Sequence, residues 1–305
     1  MIRVNGLTKS YGTTKAVNGI DFSLSQGEML GFLGVNGAGK STTVNMLSTL
    51  IRADGGTCRI CGYELGKQDN EIRKHIGIVY QQNCLDEILT VEENLICRGR
   101  LRTSDKRQLK ATLAHLSDFL SLQPILKKRY NTLSGGQKRR CEIAAALMHT
   151  PKLLFLDEPT TGLDPATRKD VWAVIDQLRK NEGLTVFLTT HYMEEAALAD
   201  RIIIINKGSI MAQGTPFELK EKYARDTVKL YTQDQDKVIR TLSQMNIEAK
   251  KTPYGASFFV NGTQNAIEPI YKIRDMIDGF EVIAGNMDDV FLNVCGTYDI
   301  KEEEK

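Results

Sequence analysis

Long apolar runs are scarce in this 305-residue chain, and stretches such as residues 153–156 and 202–205 hold only four apolar residues each. A membrane-spanning helix needs about 20 consecutive apolar residues, so no transmembrane segment is predicted. The N-terminus has no basic region followed by an apolar stretch, so no secretory signal is predicted. An excess of one charge is also missing, because 40 Lys and Arg residues are balanced by 38 Asp and Glu residues. This balance excludes a protein that acts mainly by covering nucleic acid with positive charge.

Cysteine is sparse, with six residues at irregular spacing. Without a secretory signal, we expect reduced thiols rather than a disulfide framework. Cys58 and Cys61 form a C-x-x-C sequence, but a zinc site would need a second pair and a redox site would begin a helix. The surrounding stretch is strand-like, so we expect no metal or redox role for this pair.

The order of apolar and glycine-rich stretches predicts an α/β protein. Up to about residue 30, apolar and polar residues alternate between glycines, which indicates short antiparallel strands. Beyond that point strands alternate with helices, which is typical of a parallel sheet covered on both faces. The predicted strands are 29–33, 76–80, 153–156, 184–188 and one near 202. One helix is predicted to begin near residue 40 and another just after residue 134. The stretch 90–128 has a helical pattern, and a further helix is predicted over 166–178.

A complete phosphate-loop motif, G-x-x-x-x-G-K-[ST], occupies residues 34–41 between a predicted strand and a predicted helix. Its glycines let backbone N–H groups approach a triphosphate, and the helix N-terminus points at the β-phosphate. Lys40 would reach the β- and γ-phosphates, and the Ser41 hydroxyl would coordinate Mg²⁺. No glycine follows Gly39 at the spacing of a dinucleotide-binding loop, which disfavours that alternative. The predicted nucleotide-binding residues are Gly34, Asn36, Gly37, Ala38, Gly39, Lys40, Ser41 and Thr42.

Two carboxylates follow the apolar strand 153–156 directly. The run places Asp157 and Glu158 at the C-terminal edge of the sheet, where open α/β sheets bind ligands. Asp157 suits the shell of Mg²⁺, and Glu158 suits a general base that polarises water against the γ-phosphate. Pro159 ends the strand because it cannot continue the hydrogen-bond ladder.

A third motif, residues 133–137 (LSGGQ), begins a predicted helix. Ser134 and Gln137 have the spacing of a capping box, and the two glycines between them expose backbone N–H groups that favour a second anion site. The next three residues are basic, and we expect Lys138, Arg139 and Arg140 to form a solvated face. Trp172 shares a helix face with apolar neighbours, so core packing is expected for it.

These motifs together resemble the ATP-binding subunit of an ATP-binding-cassette (ABC) transporter, over about residues 1–220. The 92 positions from Ser41 to Leu133 leave room for the family's helical subdomain, at about 90–130, but not for the long coiled coil of ABC proteins of DNA repair. Translation-type ABC factors carry two cassettes, whereas one is present here. The alternatives left open are a non-catalytic nucleotide-binding scaffold and a soluble ABC ATPase with a regulatory or nucleic-acid-linked role.

The resemblance implies roles for four further residues. Tyr11 lies where the family stacks an aromatic ring on adenine. Gln81 matches the glutamine that senses Mg²⁺ and the attacking water, and the neighbouring Gln82 is the alternative for that role. Asp164 belongs to a loop that crosses the dimer interface, and it is also a predicted N-cap before Pro165. His191 matches the histidine that contacts the γ-phosphate.

The resemblance also implies ATP and Mg²⁺ as cofactors and a dimer of two copies. In that dimer the nucleotide lies between residues 34–41 of one chain and Ser134, Gly135, Gly136 and Gln137 of the other. Partners are then a separately encoded membrane permease and a second copy, with no nucleic acid. The expected location is the cytoplasmic face of the membrane, where the chain would be peripheral through its permease.

Residues 221–305 are predicted to form a second, smaller domain. Strand and helix patterns follow the order β-α-β-β-α-β, which is compatible with a ferredoxin-like α+β fold. Residues 287–294 resemble the tail of the branch that serves drug and antibiotic exporters with two-protein permeases (ABC-2 type). This likeness favours export and a dimer-stabilising or regulatory role for the domain.

Overall fold

The computed structural model describes residues 1–296, and the chain divides into two compact units between Gln213 and Gly214. This division lies seven residues before the predicted boundary at 220. The reason is that the helix Pro216–Tyr223 packs against the last helix, Met287–Cys295, of the second unit.

The first unit contains ten strands, seven α-helices and two short 3₁₀ turns in its described part. The strands are β1 (Ile2–Tyr11), β2 (Thr14–Leu24), β3 (Met29–Leu33), β4 (Gly55–Ile60), β5 (Tyr63–Glu64), β6 (Ile76–Val79), β7 (Leu153–Asp157), β8 (Thr185–Thr190), β9 (Arg201–Asn206) and β10 (Ser209–Gly214). The α-helices are α1 (Lys40–Leu47), α2 (Asp69–His75), α3 (Val91–Arg100), α4 (Lys106–Phe119), α5 (Gly135–Leu147), α6 (Pro165–Glu182) and α7 (Met193–Ala196), and the 3₁₀ turns are Gln123–Ile125 and Tyr130–Thr132.

The central sheet has the strand order β10-β9-β3-β8-β7-β6, and β3, β6, β7, β8 and β9 pair in parallel, as predicted. Strands β3, β7 and β8 are buried along their whole length, and Phe155 and Phe187 pack with ring centroids 5.5 Å apart. Because β3, β6, β7 and β8 run in one direction, the residues that follow them lie along the same edge of the sheet. The fold therefore brings the predicted site residues to one edge.

An antiparallel sheet of order β2-β1-β4-β5 accounts for the alternating N-terminal pattern. Gly208, in the turn between β9 and β10, links β2 to the phosphate loop, because Asn18 N donates to Gly208 O at 2.8 Å and Gly208 N donates to Ala38 O at 3.0 Å. Cys58 faces the core from β4, and burial raises the pKa of its thiol to about 12. The C-x-x-C pair therefore lies in a strand and its turn.

The predicted helical subdomain consists of α3, α4 and the 3₁₀ turn after them. Helix α3 begins at a capping box in which Thr90 and Glu93 bond each other's backbone N–H groups. Both α3 and α4 pack on α5, so the helix that carries the LSGGQ motif joins the subdomain to the central sheet. Trp172 is buried on α6, as expected.

The second unit combines a four-stranded sheet with four α-helices in its described part. In chain order they are α8 (Pro216–Tyr223), β11 (Asp226–Tyr231), α9 (Gln235–Gln244), β12 (Ala249–Thr252), β13 (Gly255–Val260), α10 (Ile267–Ile273), β14 (Gly279–Ile283) and α11 (Met287–Cys295), with 3₁₀ turns at Thr263–Ala266 and Arg274–Met276. The sheet order is β12-β13-β11-β14 and every neighbouring pair is antiparallel. The ferredoxin-like assignment of this unit stays a prediction. Among residues 1–296, no helix is both long and apolar enough to cross a bilayer.

Candidate functional site

The phosphate loop (residues 34–41) is held in its shape by glycine. Gly39 has φ 109°, and a Cβ there would lie 2.4 Å from the Ala16 carbonyl oxygen. A Cβ on Gly34 would lie 2.5 Å from the Ile205 carbonyl oxygen. No side chain other than hydrogen fits at these two positions, so the loop packs its backbone directly on β2 and β9.

Lys40 begins α1 and is only 5% exposed. Its Nζ donates to the carbonyl oxygens of Gly34 at 2.7 Å and Val35 at 3.2 Å, and it lies 3.6 Å from Glu158 Oε1. The ammonium is thereby fixed over the loop at the edge of the sheet, at the place where a phosphate chain would need a positive charge.

The two carboxylates differ in how they are held. Asp157 ends β7 and accepts a hydrogen bond from Thr189 Oγ1 of the neighbouring strand β8. Burial, and to a smaller extent the neighbouring Glu158 charge, raises the pKa of Asp157 above its ordinary value. Glu158 lies one residue further on, with φ 47° in the left-handed region that side chains other than glycine rarely adopt. The two neighbouring carboxylates are therefore carried by different backbone conformations, Asp157 by the strand and Glu158 by the turn after it.

Residues from three sheet-edge loops converge on the Glu158 carboxylate. Its Oε2 accepts hydrogen bonds from Gln81 Nε2 at 3.2 Å and Thr161 Oγ1 at 3.3 Å. His191 Nδ1 lies 3.2 Å from the same oxygen, without hydrogen-bond geometry. With Lys40 on the other oxygen, the predicted residues Gln81, Glu158 and His191 form one cluster, and Gln81 rather than Gln82 makes the contact.

The signature segment (residues 134–137) and the Asp164 loop lie side by side. Ser134 Oγ accepts from Gln137 N at 3.4 Å and Gln137 Oε1 accepts from Ser134 N at 3.1 Å, which completes the capping box at the start of α5. Asp164 caps α6 through the N–H groups of Ala166 and Thr167. A Cβ on Gly136 would lie 2.3 Å from Thr167 Cγ2, so the two helix starts pack closely.

Tyr11 ends β1 and is 53% exposed. It pairs with Thr14 in the β1–β2 hairpin. Thr14 lies two residues before Ala16, and the carbonyl oxygen of Ala16 lies against Gly39 of the phosphate loop. The ring is therefore an exposed aromatic face on the hairpin that borders the loop, and Lys9 Nζ lies 5.8 Å from its centroid.

Comparison with known proteins places this chain in a family. The model of the ABC transporter family matches residues 17–161. The daunorubicin/doxorubicin resistance ATP-binding protein DrrA of Streptomyces peucetius is 36% identical, over 100% of this chain and 97% of that protein. The chain belongs to the ABC transporter family.

Two other proteins, one matched by sequence and one by structure, are similar to this ABC ATPase. The linearmycin resistance ATP-binding protein LnrL of Bacillus subtilis (strain 168) is 42% identical over 75% of this chain and 73% of that protein. The dimeric ATP-binding cassette MJ0796, in a post-hydrolysis state with ADP and Pi, is 26% identical with a TM-score of 0.65, over 70% of this chain and 98% of that one. As a member of this family, the protein binds and hydrolyses ATP.

The expectation that Arg139 lies on a solvated face of the ABC ATPase is wrong. Its guanidinium is buried and donates to the backbone carbonyl oxygens of Tyr80, Glu158 and Pro159. Lys138 and Arg140, on either side of it, are half-buried. Because the acceptors of Arg139 are backbone atoms 19 to 59 positions away, no local pattern marks them.

Two buried glutamates of the ABC ATPase were also missed from the sequence. Glu142 Oε1, on α5, accepts from Cys84 N at 2.8 Å, Leu85 N at 3.1 Å and Tyr130 Oη at 2.9 Å, so it fixes the loop that follows Gln81. The other is Glu195, on α7, and its carboxylate joins two strand ends of the site. The only sequence signal is an acidic residue on an otherwise apolar helix face, which is too common to be diagnostic.

Glu195 is only 2% exposed. It accepts hydrogen bonds from Thr160 Oγ1, two residues after Glu158, and from Thr190 Oγ1 at 2.7 Å, directly before His191. The Arg168 guanidinium stacks 4.2 Å from the Tyr192 ring centroid and its Nε lies 3.9 Å from Glu195. This network holds the His191 turn against the end of β7.

Proposed function

We propose that this ABC ATPase uses ATP hydrolysis to power export of a substrate through a separate membrane permease. The observation that carries the proposal is the convergence of Lys40, Gln81 and His191 on the Glu158 carboxylate. The names of the two resistance relatives support export, and cargo of the drug, lipid, peptide or polysaccharide class would be selected by the permease.

In the proposed reaction Glu158 is the general base. A water oriented by Gln81 and Glu158 attacks the γ-phosphorus, its proton passes to Glu158, and the bond from phosphorus to the β,γ-bridging oxygen breaks to give ADP and phosphate. Lys40 stabilises the charge on the phosphate chain, and His191 contacts the γ-phosphate. Tyr11 stacks on adenine, whose planar face suits an exposed aromatic ring.

The donor set fits Mg²⁺ held together with nucleotide. In residues 1–296, no group of three or more His, Cys, Asp or Glu side chains forms a metal cage. Mg²⁺ typically keeps several waters and binds through one or two protein oxygens plus substrate phosphates. Ser41, Asp157 and Gln81 would hold it here, and its charge would neutralise the β- and γ-phosphates.

The catalytic unit in this proposal is a dimer that closes on ATP. The signature segment of one copy and its Asp164 loop would complete the site around the phosphate loop of the other copy. A shift from mostly open to mostly closed needs about 5.5 kcal/mol of differential binding. Hydrogen bonds to a charged phosphate contribute roughly 1.5–3 kcal/mol each, so a few new bonds suffice.

A cleft between the central sheet and the helical subdomain is the proposed permease dock. It has a volume of about 270 Å³ and is bordered by Tyr80 and Cys84 next to Gln81. Arg73, Arg98 and Arg102 line it, beside the exposed apolar side chain of Leu101. This surface suits a short permease helix with acidic and apolar residues, and such binding would hold the chain at the cytoplasmic face of the membrane. No nucleic acid is needed for this function.

The proposal is tested with Glu158→Gln. We expect the variant to bind ATP, to lose at least about 100-fold in turnover as general-base variants do, and to accumulate as an ATP-bound dimer. Phosphate release and size-exclusion chromatography with and without ATP measure the two effects. Glu87→Gln, an exposed carboxylate outside the cluster, is the control and keeps wild-type values. Undiminished ATPase activity of Glu158→Gln would refute the assigned role.

A further inference from the structure

Arg139 is a buried cation that the reaction above does not use. It lies on α5, five positions after the cap residue Ser134, and it is 6% exposed. In the described part of the chain its hydrogen bonds go to carbonyl oxygens: Nη1 donates to Tyr80 at 2.6 Å, Nη2 to Glu158 at 3.0 Å and Nε to Pro159. A buried charge is costly unless it is well bonded, so these three contacts keep the side chain in place.

The contact with Glu158 falls on a strained turn. Glu158 has φ 47°, and a residue other than glycine keeps such a conformation only where its surroundings over-determine it. Its N–H donates to the Thr189 carbonyl oxygen at 3.0 Å, and its own carbonyl accepts from Arg139. The peptide groups on both sides of Glu158 are therefore fixed, one by β8 and the other by α5.

The contact with Tyr80 fixes the backbone next to Gln81, the residue that donates a hydrogen bond to Glu158. Tyr80 precedes Gln81, whose Nε2 lies 3.2 Å from Glu158 Oε2. One planar guanidinium thus binds the backbone on both sides of the Gln81–Glu158 hydrogen bond, which a lysine with its single nitrogen cannot reproduce. The same helix carries the signature segment at its N-terminus, so a shift of that end moves the guanidinium as well.

We propose that Arg139 is a positioning residue that aligns Glu158 with Gln81 and couples both to the signature segment of its own chain. In a dimer, that segment faces the nucleotide of the partner copy. Arg139 then makes hydrolysis at one site respond to nucleotide at the other. This coupling rests on the proposed function.

The test uses steady-state ATPase titrations of Arg139→Lys and Arg139→Gln. Misalignment of about 1 Å near a reacting group costs up to about 100-fold in rate, so we expect kcat to fall about 10- to 100-fold. The KM for ATP should change less than about threefold, because the phosphate loop is untouched. The Hill coefficient should fall from about 2 towards 1. Arg140→Gln is the control, since Arg140 Nη1 contacts only Leu120 O, at 3.5 Å, among the carbonyls of the described residues.

A double variant separates positioning from a general structural effect. If Arg139 acts through Glu158, adding Arg139→Lys to Glu158→Gln lowers the residual turnover less than about twofold. Full additivity, or an unchanged kcat and Hill coefficient in Arg139→Lys, would overturn the inference. So would loss of the folded state in both Arg139 variants, measured by thermal unfolding. If the wild-type chain itself neither hydrolyses ATP nor dimerises with it, the proposed function fails instead.

Discussion

Removal of the Glu195 carboxylate should destabilise the first unit and impair the His191 turn together. In Glu195→Ala, Thr160 and Thr190 lose the acceptor of their hydroxyl groups, and Arg168 loses its nearby charge. Both hydroxyl groups lie on buried residues, so water does not replace the lost acceptor without a change in packing. The substitution therefore leaves unsatisfied polar atoms as well as a cavity.

The size of the effect follows from these two bonds. Hydrogen bonds to a charged group contribute about 1.5–3 kcal/mol each, so the loss of two such bonds is about 3–6 kcal/mol. A loss of about 3 kcal/mol lowers the melting temperature of a unit of this size by about 6–12 °C. Glu195→Gln keeps the shape and one acceptor oxygen, so its loss should be about 1–2 kcal/mol.

Thermal unfolding followed by circular dichroism measures this effect, with phosphate release measured on the same preparations. Glu194→Ala is a matched control on the same helix, because Glu194 is exposed and should change stability by less than about 0.5 kcal/mol. We expect a lower kcat for Glu195→Ala even at temperatures where it is folded, since Thr190 directly precedes His191. A melting temperature within about 2 °C of wild type would refute the reasoning.

Two further predictions concern Tyr11 and the buried cysteines. Tyr11→Ala should raise the KM for ATP about 5- to 150-fold, because base stacking on an aromatic ring contributes about 1–3 kcal/mol. Tyr11→Phe keeps the ring, so its KM should stay near the wild-type value. Equal KM values for the two variants would contradict stacking. Burial raises the pKa of Cys58 and Cys141 to about 12, so at pH 8 only about one thiol in 10,000 is ionised and both should react with Ellman's reagent only after unfolding. Exposed Cys97 serves as the reactive control. If Cys58 or Cys141 in the native protein were labelled as fast as Cys97, the raised pKa of the two buried thiols would be contradicted.

Features that depend on nearby residues could be predicted from the sequence. The caps at Ser134 and Asp164 involve partners two or three positions away, and the structure has both. The strand 153–156 and its two following acids were also predictable, because an apolar run that ends in a pair of charges defines its own boundary. In each of these cases all the residues that determine the feature lie within a few positions of one another in the sequence.

Features that depend on distant backbone atoms could not be predicted. Arg139 lies in a run of three basic residues whose composition suggests a solvated face, yet it contacts carbonyls of the residues that directly follow β6 and β7. The left-handed turn at Glu158 gives no signal either, since the residue type argues against it. The boundary at Gln213 was missed because the packing of α8 on α11 joins residues about 70 positions apart.

The capping box at Ser134 has a chemical consequence for selectivity. Its two hydrogen bonds use acceptor atoms, Ser134 Oγ and Gln137 Oε1, and they use neither the hydroxyl proton nor the amide protons of those side chains. The helix start therefore offers protons outward and suits anions. Aspartate caps a helix as well as serine does, but at position 134 it would present a negative charge there. Local folding thus tolerates either residue, whereas electrostatic complementarity to a phosphate tolerates only the neutral one.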